Sequence, residues 1–225
     1  MASADSLSRT IADTVTISRE LREEGEIDGQ VKLYNVEDDD EFEADASTFF
    51  DRTLMTQGLR EGFVDLRDTL RGDANYGTHI LYGPYGSGKS HQMVAMYHCF
   101  DSPAVVEDWA DGRIEDFDGV LPRDALPVVV SLQKEQYEYL WEPLFDALDY
   151  EVTEEDYDEE GGYPTIDVIE DAVGDRTVAF FMDELEDWFG ALDGRRLSAN
   201  RGFLQALLET TSRTNLFAIV SVLRE

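Results

Sequence analysis

A short glycine-rich segment limits the folds open to this chain more than any other feature. Residues Gly83–Ser90 read Gly-Pro-Tyr-Gly-Ser-Gly-Lys-Ser and match the pattern G-x-x-x-x-G-K-[ST]. The apolar run His79–Tyr82 precedes them and predicts a strand, and residues 90–100 predict a helix. This is the context in which the pattern forms a phosphate-binding loop. The sequence therefore predicts such a loop between a strand and a helix.

The chemistry of a phosphate-binding loop explains the residue types in this segment. Glycines let the backbone bend so that successive N–H groups point at phosphate oxygens, and the helix N-terminus adds partial positive charge. We expect Lys89, one of only three lysines in the chain, to reach the β- and γ-phosphates of a nucleotide, and the Ser90 hydroxyl to bind Mg²⁺. The predicted nucleotide-binding residues are Gly83, Pro84, Tyr85, Gly86, Ser87, Gly88, Lys89, Ser90 and His91.

A second motif stands at the end of another apolar run. Val178–Met182 are all apolar, and Asp183 and Glu184 follow them. Open α/β sheets bind ligands at the carboxyl ends of their strands. We expect Asp183 to hold Mg²⁺ through its water shell, because Mg²⁺ keeps several waters and takes few carboxylates. Glu184 is expected to orient and deprotonate an attacking water. Acidic pairs are also common where strands leave a sheet, so this prediction depends on the glycine-rich loop.

The last predicted strand carries one polar residue of interest, Ser221. Its hydroxyl is expected either to lie between the loop and Asp183, in contact with the attacking water, or to bond its own backbone. Glu186 is expected to begin the solvated face of a helix. The predicted catalytic residues are therefore Glu184, Lys89 and Ser221, and the predicted metal ligands are Ser90 and Asp183.

The remaining pattern predicts one α/β core with an acidic arm in front of it. Further strands are predicted at Pro127–Leu132, Thr177–Met182 and Leu216–Leu223, and further helices at 134–149, 165–173 and Ala199–Ser212. Short apolar strands that alternate with helices predict a three-layer sandwich with a mostly parallel central sheet. Residues 1–48 are predicted to be an arm, with a helix at Ile11–Glu24 and a solvated acidic run at Glu37–Glu41. Residues 49–225 are predicted to be the core.

Two segments of the core are less regular. Apolar residues at three-to-five spacing predict one amphipathic helix over Phe49–Leu70, with Phe50 and Leu54 on its buried face. The stretch 101–126 is predicted to be an irregular connection with at most one short helix. Packing roles are expected for the aromatic side chains of Trp141 and Trp188.

The net charge of the chain indicates the solvent and the kinds of partner that suit it. Eighteen Lys and Arg residues oppose fifty Asp and Glu residues, for a net charge of −32. Salt screens the self-repulsion of such a surface, so we expect a salt-rich cytoplasm, as in halophilic microbes. Direct nucleic-acid binding is not expected, because phosphate contacts need clustered Lys and Arg. No long apolar run or signal-peptide layout is present, which predicts a cytoplasmic chain without a membrane span.

Together these motifs resemble the additional-strand P-loop ATPases and, among them, the AAA+ class. The segments Phe49–Thr53, Thr56–Leu59, Leu81–His91 and Met182–Trp188 further resemble the large ATPases of prokaryotic phage-exclusion (BREX-type) islands. The resemblance covers Phe49 to Glu225. It implies Mg²⁺-dependent ATP hydrolysis that drives conformational change in a defence assembly against foreign DNA, with protein partners or further copies of the chain. It also makes Phe49–Gly58 and Tyr76 candidates for adenine contacts.

The sequence departs from the AAA+ pattern at its end. That class continues to an arginine finger, a fifth strand and a helical lid, whereas this chain ends at Glu225. We therefore expect an N-terminal fragment, with Arg224 a solvated end residue rather than a finger. Hydrolysis by this chain alone is expected to be slow, since a trans-acting arginine changes turnover by about 10³–10⁵-fold.

The motifs leave three other functions open. They are an ATP-binding switch or scaffold without hydrolysis, a replication-type AAA+ ATPase, and a nucleotide or small-molecule kinase. An acidic pair on a separate strand and the absence of an Arg-rich lid argue against the kinase.

Overall fold

The computed structural model describes residues 30–74, 76–131 and 137–223. Its strands are β1 (Thr78–Gly83), β2 (Ala125–Ser131), β3 (Thr177–Asp183) and β4 (Leu216–Leu223). Its helices are α1 (Ala46–Asp51), α2 (Gln57–Leu70), α3 (Lys89–Asp101), α4 (Pro103–Ala110), α5 (Trp141–Ala147), α6 (Ile166–Val173), α7 (Leu185–Ala191) and α8 (Gly194–Thr210). Short 3-10 helices are found at Leu33–Glu37 and Glu154–Asp156. In this part of the chain no helix combines the length and apolar character needed to cross a bilayer.

The four strands form one sheet in the order β1-β4-β3-β2, and every neighbouring pair is parallel. Although β4 comes last along the chain, it lies between β1 and β3, because Ala218 pairs with Thr78 on one side and with Phe180 on the other. All four carboxyl ends therefore meet at one edge of the sheet. The predicted α/β fold with a parallel central sheet is confirmed, and each predicted strand agrees within two residues at each end.

Side-chain alternation along β3 shows how the sheet separates two cores. Ala179 and Phe181 face a core formed with α1–α4, whereas Phe180 and Met182 face a core formed with α5–α8. All four side chains are completely buried. Because both faces of the strand are covered, an unbroken apolar run is what the position requires. The result is the predicted sandwich of helices, sheet and helices.

One predicted helix is in fact two. The sequence predicts a single helix over Phe49–Leu70, but residues 52–56 separate α1 from α2. Thr56 caps α2, since its hydroxyl accepts a hydrogen bond of 3.2 Å from the N–H of Leu59. Leu54 lies in the break with 82% of its surface exposed, so its predicted place in the core was wrong. Phe50, at 3%, is buried as predicted.

Other helices differ from the predictions mainly in length. The helix predicted at 165–173 is confirmed as α6, and the connection 101–126 contains α4 as its one short helix. Residues 134–136 of the helix predicted at 134–149 lie outside the described residues. From residue 137 onward the helix is reduced to α5, because the Glu142 carboxylate accepts hydrogen bonds from the N–H groups of residues 138 and 139 and fixes a turn before it. The helix predicted to start at Ala199 begins earlier, as α8. The predicted helix Ile11–Glu24 and the end residue Arg224 lie outside the described residues.

The residues just before α1 pack together with the sheet. Val31–Glu225 cluster as one compact unit, and Leu33 and Val36 are buried against the core formed with α1–α4. Between them and α1, the acidic run Glu37–Glu41 is exposed, as expected of a solvated segment. Residues 31–48 thus contribute apolar side chains to the same core as the helices that follow.

His79 gives this fold a predictable response to acid. Its side chain is 7% exposed, and its Nε2 makes no hydrogen bond to any residue that the structure describes. Burial lowers the pKa of His79 from 6.5 to about 4. Between those values the unfolded chain binds a proton that the native chain does not, so the free energy of unfolding falls as the pH falls. We expect His79→Leu to remove up to about 1.4 kcal/mol per pH unit of that fall.

Denaturant unfolding of the wild type and His79→Leu across this pH window measures the effect. At pH 7–8, where His79 is neutral in both states, the two stability curves should run parallel. Equal slopes below pH 6.5 would show that His79 does not contribute.

Candidate functional site

The glycine-rich loop joins β1 to α3 at the carboxyl edge of the sheet. Gly86 and Gly88 have φ angles of +73° and +84°, a region in which an L side chain is strained. Gly83 is buried, and a Cβ atom there would lie 2.6 Å from the Ser87 Oγ. The bend therefore depends on these glycines.

The two residues that open α3 connect the loop to the acidic pair. The Lys89 Nζ donates to the backbone oxygens of Gly83 at 2.8 Å and of Pro84 at 3.1 Å. The Ser90 Oγ donates to the Asp183 Oδ2 at 3.4 Å, although 93 residues separate them. The sheet order explains this contact: β1 and β3 are two strand spacings, about 10 Å, apart, so side chains from both ends can meet. The structure thus brings the two sequence motifs together at one edge.

Two hydrogen bonds fix one oxygen of the Asp183 carboxylate. Its Oδ1 accepts hydrogen bonds from the Ser221 hydroxyl and, at 3.0 Å, from the N–H of Glu184. The same N–H also donates to the Ser221 Oγ at 3.0 Å. Ser221 therefore lies beside Asp183, on the strand between the loop and the acidic pair, and it does not bond its own backbone. Its hydroxyl donates a hydrogen bond to the Asp183 carboxylate.

Glu184 differs from its neighbours in backbone and in electrostatics. It leaves β3 in the left-handed conformation, with φ +57° and ψ +35°. Partial burial raises the pKa of its carboxyl group, and the nearby charges of Asp183 and Asp187 raise it further, while Lys89 acts in the opposite direction. A raised pKa makes a carboxylate a stronger proton acceptor.

Three predicted nucleotide-binding residues lie apart from the acidic pair. Pro84 and Tyr85 are exposed at the tip of the loop, Tyr85 by 75%. His91 instead faces α1: its ring centroid lies 4.7 Å from that of Phe49, and its Nε2 is 3.0 Å from the Thr53 Oγ1. The structure thus gives His91 a packing contact that the motif alone does not indicate.

The sequence singled out Phe49–Gly58 as candidates for adenine contacts, and it did not predict the hydrogen bonds that join this segment to the start of α3. The buried Thr53 donates to the backbone oxygen of Phe49 at 2.8 Å and contacts His91. Gln92 donates to the backbone oxygen of Gly58 at 3.3 Å. A threonine four residues after an aromatic residue is a weak signal in sequence, because the same spacing occurs within helices. Both hydrogen bonds join residues far apart in the sequence, and the spacing of apolar residues carries no information about such pairs.

The donor atoms at this edge suit Mg²⁺. The Ser90 hydroxyl and the Asp183 carboxylate carry the hard oxygen atoms that Mg²⁺ prefers. Because these oxygens lie 3.4 Å apart, one ion could bind Ser90 directly and Asp183 through a water of its shell. Over the described ranges no group of three or more His, Cys, Asp or Glu side chains could hold a metal. A metal ion here would need further oxygens, which water and phosphate can supply.

The architecture defines a class of fold, a three-layer α/β sandwich. In its sheet, β4 lies between β1, which leads into the glycine-rich loop, and β3, which ends at the acidic pair. Residues 17–123, just under half of the chain, match the DUF499 N-terminal domain family. No curated protein matches the chain. The matched segment contains the loop Gly83–Ser90, whereas Asp183, Glu184 and Ser221 lie beyond it.

Proposed function

We propose that this chain binds ATP with Mg²⁺ at the carboxyl edge of the sheet and hydrolyses it, as a P-loop ATPase of the AAA+ class. The observation that carries the proposal is the approach of Ser90 to Asp183, 3.4 Å between Oγ and Oδ2. A metal-bound triphosphate needs a phosphate loop and a carboxylate within one cleft. Two motifs far apart in sequence supply these groups side by side.

Each residue of the site has a distinct role in the proposed reaction. The loop N–H groups and Lys89 bind the triphosphate, and Lys89 exchanges its two contacts with backbone oxygens for phosphate oxygens. The Ser90 hydroxyl and, through the water shell, the Asp183 carboxylate would hold Mg²⁺, which when bound would supply positive charge that stabilises the transferred phosphoryl group. Glu184 accepts a proton from the attacking water, a role that its raised pKa favours.

The biological setting is a second part of the proposal. The resemblance of Leu81–His91 and Met182–Trp188 to the large ATPases of phage-exclusion islands supports a role in a DNA-related defence assembly. A net charge of −32 favours contacts with protein partners or further copies of the chain over direct contacts with DNA. The same charge supports a cytoplasm rich in salt, as in a halophile.

Phosphate release from ATP tests the proposed activity. The assay belongs in about 2 M KCl, where salt screens the self-repulsion of the chain. We expect release with Mg²⁺ and loss of release when EDTA removes the metal. Binding of ATP without release would favour a switch or scaffold, and transfer of the γ-phosphate to an acceptor other than water would favour a kinase. Absence of ATP binding would contradict the proposal.

A further inference from the structure

We propose that Ser221 is a positioning residue, which sets the backbone of Glu184 and the orientation of Asp183 without touching the nucleotide or the attacking water. The inference rests on the proposed function and concerns how that site is held. Ser221 is 1% exposed on β4, so its contacts are with protein groups at the sheet edge.

The Ser221 hydroxyl already uses its single proton in a hydrogen bond to protein. A serine hydroxyl has one proton to donate, and here it goes to the Asp183 Oδ1. The oxygen also accepts the N–H of Glu184 at 3.0 Å. To donate to a phosphate oxygen or to a water, the hydroxyl would have to release Asp183. The contact found here therefore favours an action through the acidic pair.

The backbone of Glu184 explains why such a partner is needed. The ladder between β3 and β4 ends at the pair Met182–Val220, and Glu184 then turns away with φ +57°. A residue other than glycine in this region is strained, and its surroundings must hold it there. The turn also takes the partly buried N–H of Glu184 out of the ladder, so this N–H needs another acceptor. Ser221 and the Asp183 Oδ1 share that N–H and so fix the turn.

Holding the turn has consequences for both carboxyl groups. With Oδ1 of Asp183 engaged by Ser221, Oδ2 is the oxygen that meets the Ser90 hydroxyl. With its N–H fixed by Ser221 and the Asp183 Oδ1, Glu184 is held directly beside Asp183 at the sheet edge. One buried hydroxyl thus orients the metal ligand and the proton acceptor of the proposed reaction.

Amide hydrogen exchange in the nucleotide-free protein tests the positioning directly. We expect the Glu184 N–H to exchange at least about tenfold faster in Ser221→Ala, because one of its two acceptors is lost and the turn opens more often. Ser221→Thr keeps a hydroxyl and should exchange like the wild type. Thr210→Val removes another fully buried hydroxyl, one that donates to the backbone oxygen of Ala206 in α8, and should also leave this exchange unchanged. Unchanged exchange in Ser221→Ala would overturn the proposal, whether or not the chain hydrolyses ATP.

Turnover then separates positioning from direct contact. We expect Ser221→Ala to lower kcat by about a hundredfold with little change in KM for ATP, since misplacing a reacting group acts on the chemical step. Ser221→Thr should recover turnover. The double variant Ser221→Ala/Glu184→Gln should lose less than the product of the two single losses, because part of the Ser221 effect acts through Glu184 and is already absent in Glu184→Gln. A fully multiplicative loss would mean that Ser221 acts independently of Glu184, and would overturn the proposal that it positions this residue.

If the wild type releases no phosphate, the proposed function fails while amide exchange still decides whether Ser221 holds the turn. Melting temperatures of all variants identify any loss of folding. If Ser221→Ala does not fold, Ser221→Cys provides the measurement, because its sulfur is a weak hydrogen-bond acceptor and the Glu184 N–H should again exchange faster than in the wild type.

Discussion

Lys89→Ala is expected to weaken ATP binding by at least about a hundredfold. The ammonium of Lys89 makes two hydrogen bonds to the loop, with the backbone oxygens of Gly83 and Pro84, and it can turn the same donors to phosphate oxygens. Hydrogen bonds to charged groups contribute about 1.5–3 kcal/mol each, and 1.4 kcal/mol corresponds to a tenfold change in affinity. Two such bonds therefore account for a change of this size. Isothermal titration of ATP with Mg²⁺ into both proteins measures it.

The matched control removes a lysine charge outside the loop. Lys32 stands before the 3-10 helix Leu33–Glu37, and its half-buried side chain is not part of the glycine-rich segment. Lys32→Ala should bind ATP like the wild type, once folding is verified by melting temperature. Equal ATP affinity of Lys89→Ala and the wild type would show that Lys89 and its loop do not bind the nucleotide.

Glu184→Gln is expected to bind ATP with unchanged affinity and to release phosphate about 10²–10⁴-fold more slowly, the range that general-base catalysis provides. Glutamine has nearly the shape of glutamate but cannot accept the proton of the attacking water. The backbone N–H of this residue, which donates to Asp183 and Ser221, is retained in the variant. Single-turnover phosphate release, combined with a binding titration, separates the two effects.

Glu186→Gln is the control for charge. Glu186 is exposed in the first turn of α7, two residues beyond Glu184, so the substitution removes the same charge from the same region. Its turnover should equal that of the wild type. If both variants lose turnover alike, the effect belongs to the net charge of the edge and not to a proton acceptor at position 184.

The strands and the loop could be predicted because their signals are local. An unbroken apolar run such as Val178–Met182 fits a strand covered on both faces, and Gly86 and Gly88 mark the bend by their conformational freedom. The meeting of Ser90 with Asp183 followed from one further rule, that parallel strands share a carboxyl edge.

The features that escaped prediction depend on contacts between distant residues. The break at residues 52–56 was hidden because apolar spacing continues across it, and only the cap at Thr56 ends the pattern. The partners of Ser221 were left open because a hydroxyl can bond its own backbone, and the choice is made by the turn of Glu184 on a neighbouring strand. A left-handed glutamate has no signature in sequence, since the surrounding structure imposes it.

A crystal structure of Glu184→Gln with ATP and Mg²⁺ would show whether the two motifs form one nucleotide site, because slow turnover preserves the nucleotide. We expect the triphosphate along the loop Gly83–Ser90, the metal bound to the Ser90 hydroxyl, and the Asp183 carboxylate turned toward that metal. A nucleotide bound away from the loop, or a metal that Ser90 and Asp183 do not share, would contradict this expectation.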